Sequence, residues 1–62
     1  MKSCVLVNNL TNERTEFLVD GNSVTVNIYE NDQIGDSFFL DFDTAQSLKS
    51  HILKETSSKE IQ

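Results

Sequence analysis

At 62 residues, with ten acidic against five basic side chains and a formal net charge of −5, the chain is a single small acidic domain. A domain of this size buries only about 60% of its unfolded-chain surface, which excludes a large internal catalytic cavity, and the acidity disfavours direct nucleic-acid binding. A hydrophobic content of 37% with two Gly and no Pro excludes disorder, and no apolar run approaches the roughly 18 residues of a membrane helix.

Lys2 to Asn8 (KSCVLVN) is a short apolar run with β-branched residues and is expected as the first strand. Val5 and Val7 are expected to face the core, because the opposite set, Cys4 and Leu6, shares its side with Lys2 and Asn8. The run is too short for a secretory signal, and a single cysteine allows no internal disulfide, so a soluble protein of the reducing cytoplasm is expected. Asn9 to Arg14 (NLTNER) is a polar connection. Its Asn9-Leu10-Thr11 matches a glycosylation acceptor, a pattern common by chance and without a secretory signal before it.

Thr15 to Asp20 (TEFLVD) and Ser23 to Tyr29 (SVTVNIY) are two alternating runs around Asp20-Gly21-Asn22, the clearest hairpin signal in the chain. With Gly21 and Asn22 as turn residues, Val19 falls opposite Val24 and Phe17 opposite Val26, and Ile28 joins the same face. A slip of one residue would turn Val24, Val26 and Ile28 to water, so the pairing is well specified while the turn type stays open. Glu30 to Gly35 (ENDQIG) is expected to turn the chain back, pairing Ile28 with Phe38, Val26 with Leu40 and Val24 with Phe42.

The last expected strand spans 36 to 41 and runs straight into a helix near 42 to 54. Phe38, Leu40 and Phe42 alternate with Ser37, Phe39 and Asp41, and then the period changes from two to between three and four: Phe42, Ala45, Leu48 and Ile52 form one apolar stripe, with Leu53 at its edge. Asp41 is placed to cap the helix through the Thr44 amide, with Asp43 adding negative charge in the first turn. A rival register makes Asp43 the cap and Gln46 its partner. The fold class that results is α+β, a four-stranded antiparallel β-meander with one C-terminal helix packed on one face. It forms a single domain over residues 1–55, followed by a frayed polar tail over 56–62.

Candidate chemistry is thin. Cys4 and His51 are one soft ligand of each kind where a structural zinc site needs four, and His51 is expected on the helix surface. Glu30 to Asp36 superficially suggests a calcium loop, but Ile34 stands where an oxygen ligand is required. Asp41 and Asp43 are accounted for by helix capping. Gly21 and Gly35 stand alone, with no phosphate-cradling loop. The expectation is therefore no catalytic residues, no cofactor, no metal and no enzyme.

Two surface features remain. Acidity is concentrated from Glu13 to Asp43, where Glu13, Glu16, Asp20, Glu30, Asp32, Asp36, Asp41 and Asp43 meet Arg14 alone. Inward placement of Phe17, Val19, Val24, Val26, Ile28, Phe38 and Leu40 turns Leu6, Leu18, Tyr29 and Phe39 outward. Expected partner-binding residues are therefore Leu6, Leu18, Tyr29 and Phe39, with Glu16 and Asp36.

The segment LDFDTAQSLKSHIL resembles the strand-cap-helix ending of many small bacterial and phage proteins. In size, acidity and lack of chemistry the chain also resembles small phage-encoded products that bind and disable a host enzyme, some by imitating the charge of nucleic acid. The resemblance is one of type and carries no site residue with it. It implies a non-catalytic interaction factor, an inhibitor or modulator from a phage or other mobile element, acting on a host protein. The alternative is a structural or assembly subunit that homodimerises through the outer sheet face.

Overall fold

The computed structural model describes residues 2–56 and 58–61. Among them, the elements run β1 (Lys2–Asn8), β2 (Arg14–Asp20), β3 (Ser23–Glu30), β4 (Gln33–Asp41), α1 (Phe42–Glu55) and β5 (Ser58–Ile61). The expected α+β meander with its covering helix is present, but the sheet has five strands rather than four, all antiparallel and in the order β4-β3-β2-β1-β5.

The β2–β3 hairpin has the expected register, with Val19 opposite Val24 and Phe17 opposite Val26. Asp20 pairs with Ser23, leaving Gly21 and Asn22 as a two-residue loop. Only Gly21 has positive φ, at 64°, the pattern of a type II′ turn, whose twist matches that of the flanking strands. Between β3 and β4 the turn is tighter than the expected Glu30 to Gly35 connection. Glu30 pairs with Gln33, and both Asn31 and Asp32 take positive φ, as a type I′ turn requires. Gly35 is then an extra residue, because Tyr29 pairs with Ile34 and Ile28 with Asp36. This bulge sets the final register, Val26 opposite Phe38 and Val24 opposite Leu40, two residues from the expected pairing. Since two is the side-chain period of a strand, the shift leaves Phe38 and Leu40 on the core face.

The core lies between α1 and one face of the sheet. Leu6, Phe17, Val24, Val26 and Ala45 are buried, and Cys4, Val19, Ile28, Phe38, Leu40, Leu48 and Ile52 pack around them. The first strand corrects the expected orientation: Leu6 is only 1% exposed, while Val5 and Val7 are half-buried on the other side. Leu6 stands opposite Thr15 and Cys4 opposite Phe17, so both belong to the helix-facing rows. Lys2 and Asn8 share that parity without contradiction: Lys2 is exposed at the start of the strand, and Asn8 turns its side-chain oxygen to the Leu10 and Thr11 amides of the following turn.

Asp41 caps α1 as expected. Its backbone is extended and its carboxylate accepts from the Thr44 amide at 3.3 Å and from the Thr44 hydroxyl. The helix closes at Thr56, whose amide and hydroxyl both donate to the Ile52 carbonyl. The chain then returns instead of fraying. Ser58–Ile61 pairs with β1, Val5 opposite Ile61 and Val7 opposite Lys59, and Glu60 of β5 meets Lys49 of α1 at 3.2 Å. Ser57 and Gln62 of the expected tail, and Met1 of the expected domain, lie outside the described residues.

Candidate functional site on the outer face of the sheet

The face turned away from α1 is built by strand alternation, and the pairings sort its side chains into rows. One row reads Lys59, Val7, Arg14, Tyr29 and Ile34 from β5 to β4. The next reads Ile61, Val5, Glu16, Asn27 and Ser37, and a third reads Ser3, Leu18, Thr25 and Phe39.

The centre of this face is polar and internally satisfied. Glu16 Oε1 accepts from Asn27 Nδ2 at 3.2 Å and from the Tyr29 hydroxyl at 3.4 Å, and the Ser37 hydroxyl donates to Asn27 Oδ1 at 2.7 Å. Asn27 is buried despite lying on the outer face, because its neighbours close over it. Arg14 covers Tyr29, its guanidinium carbon 5.3 Å from the ring centroid, and reaches Asp32 at 3.0 Å. Val5, Arg14, Glu16 and Tyr29 line a shallow depression of about 210 Å³.

The apolar exposure lies at the two margins. On β4, Phe39 is 77% exposed and Ile34 is exposed as well, while Ile61 projects on the β5 side beside half-buried Val5. Of the expected partner-binding residues, Leu18, Tyr29, Phe39 and Glu16 are on this face, with Glu16 tied into the polar centre. Leu6 is in the core. Asp36 is exposed, but its pairing with Ile28 puts it in a helix-side row, away from Phe39. Sequence reasoning passed over Asn27, Ser37 and Arg14, whose signal was a set of polar residues at outer-face parity on three adjacent strands. It also passed over Ile34, whose face is fixed by the bulge at Gly35.

On the helix side, Cys4, Phe17, Val19, Val24, Ala45 and Lys49 help to line a cavity of about 50 Å³, room for no more than a water or two. Burial pushes the Cys4 thiol up, and a hydrogen bond with Glu60 adds to this, so the group is a poor nucleophile. Burial pulls Lys49 down, but its bond to Glu60 and its interaction with Cys4 outweigh that, and the net shift is upward. Among the described residues no group of three or more His, Cys, Asp or Glu side chains is placed to hold a metal ion, and no helix is long and apolar enough to cross a membrane. Comparison with models of known families, with curated proteins and with solved structures finds no match.

Proposed function

We propose that this chain is a small non-catalytic protein-interaction factor, and that the β4 margin of the outer face, centred on Phe39, binds a partner protein with a basic surface. The observation that carries this reading is Phe39 itself, an aromatic ring 77% exposed on a paired strand, on the same row as Leu18. Covering such a ring contributes strongly to association. The acids around β4 support a basic partner and a binding strength that falls with salt. A cytoplasmic setting is supported by the lone cysteine, and a setting in a phage or other mobile element by likeness of size and charge.

Affinity capture from a bacterial lysate at low and high salt, with the natural chain and Phe39→Ser side by side, tests the proposal. A partner held at low salt, released at high salt and lost with Phe39→Ser is the expected result. A stable homodimer with no partner would overturn it in favour of an assembly subunit.

A further inference from the structure

We infer that the open edge of β4 takes up an extended segment of the partner as an added strand, one carrying Lys or Arg at its ends and apolar side chains where it passes Phe39. The inference rests on the reading of Phe39 as a protein-binding residue and specifies how the partner is held. β4 is the longest strand among the described residues, nine residues, and pairs with β3 on one side only; among the described residues no strand pairs along its other side. Alternate N–H and C=O groups of β4 therefore point into solvent, a template for another chain.

Natural edge strands are usually blunted by lysine, by proline, by shortness or by a cover. The opposite edge follows that rule, since β5 is four residues long and carries Lys59 and Glu60. β4 follows it only towards its ends, with the bulge at Gly35 and the charges of Asp36 and Asp41; between them Ser37-Phe38-Phe39-Leu40 has no charge, no proline and no bulge.

Charge decides between a partner and a second copy. Glu30, Asp32, Asp36, Asp41 and Asp43 lie on or beside β4, and no Lys, Arg or His occurs between Glu30 and Leu48. Arg14 answers Asp32 alone. A second copy would set this acidic edge against itself, with no basic side chain between Glu30 and Leu48 in either copy to offset Asp36 and Asp41, and like charges gathered along one strand pair destabilise it. Basic residues at the ends of a foreign segment turn that repulsion into attraction. Its alternate side chains would extend two rows already present, one beside Phe39 on the outer face and one beside Phe38 and Leu40 on the helix side. This is strand addition, with backbone bonds giving affinity and the Phe39 row giving selectivity.

The test is a displayed library of random peptides of about ten residues, long enough to span an edge strand, panned at low salt against the immobilised full chain. Enriched peptides are expected to carry Lys or Arg flanking β-branched or aromatic residues. Their binding should weaken by at least about tenfold with Phe39→Ser or Asp36→Lys, each shown by circular dichroism to remain folded. Amide hydrogen exchange with a bound peptide should slow within Gln33–Asp41 and stay unchanged in β5. Absence of enrichment, or binders without basic bias, would overturn the inference. Binders sensitive to Phe39→Ser that leave β4 exchange untouched would overturn strand addition while the protein-binding reading stands. A concentration-dependent dimer abolished by Phe39→Ser would replace the foreign segment with a second copy.

Discussion

Phe39 and Leu40 are adjacent in the chain and opposite in the sheet: Leu40 pairs with Val24 over the core, and Phe39 pairs with Thr25 and remains 77% exposed. Stability and binding should therefore separate at this strand. Leu6→Ala, at a fully buried site, should cost about 2–5 kcal/mol. Leu40→Ala, at a half-buried one, should cost roughly 1–2 kcal/mol. Phe39→Ser should stay within about 0.5 kcal/mol. Urea unfolding followed by circular dichroism ranks the three, and a Phe39→Ser loss as large as that of Leu6→Ala would show that the ring is not free.

The pairing of β5 with β1 predicts that residues 58–61 are structural. Deleting residues 57–62 should lower the unfolding midpoint and speed amide exchange in Val5 and Val7, which face β5. Glu60→Gln should cost far less, about 0.2–1 kcal/mol, because its ion pair with Lys49 is partly exposed and screened by salt. A truncated chain with unchanged exchange in β1 would show that the last strand holds nothing in place.

Cys4 should react slowly. Burial, followed by the Glu60 hydrogen bond, raises its thiol above the ordinary range, so alkylation by iodoacetamide at pH 8 should lag behind that of a free thiol and accelerate on unfolding. A thiol that ionises less readily when folded contributes stability below its unfolded pKa and loses it as pH rises through the folded value. Between about pH 8 and 10 the natural chain should accordingly lose more stability than Cys4→Ser. Equal alkaline loss in the two would contradict the placement of this side chain.

The cap predicts the opposite pH behaviour. Hydrogen bonds from the Thr44 hydroxyl and then the Thr44 amide hold the Asp41 carboxyl below its usual range. Its contribution is therefore present above the ordinary carboxylate pKa and disappears as pH falls through the depressed value. Asp41→Ala should melt earlier than the natural chain at neutral pH and converge with it in acid, while Asp41→Asn, still able to accept the Thr44 amide, should fall between them at neutral pH. A constant gap across the pH range would show that the carboxylate is not the capping group.

Where sequence pattern and position agree, the fold was legible. Gly21 between two alternating runs determined the central hairpin, and the change of period after Asp41 located the helix and its cap. β1 misled because its middle, Cys-Val-Leu-Val, is apolar on both sides, so its polar ends decided the expected orientation, yet Lys2 is exposed at the strand's start and Asn8 bonds into the following turn. β5 was invisible for the reason that makes it a good edge: Ser-Lys-Glu-Ile is short and charged, and reads as a tail. The exposed ring of Phe39 followed directly from alternation, whereas the polar centre did not, because it is made by pairings between strands that no single strand's pattern contains.

The junction of β1 with β5 also bears on how quickly this protein can form. Val5 and Ile61 are neighbours in register although about 55 residues of chain separate them, a loop whose closure costs entropy before any of its contacts are made. The hairpins on the other side of the sheet are local and can assemble early, but β1 stays an open edge until the helix has been laid down and the last strand has been made. Protection of the β1–β5 pairing should therefore appear after that of the pairings among β1, β2, β3 and β4, which join strands adjacent in the chain. During that interval the chain has a second open edge, with Leu6 less well covered than in the finished sheet.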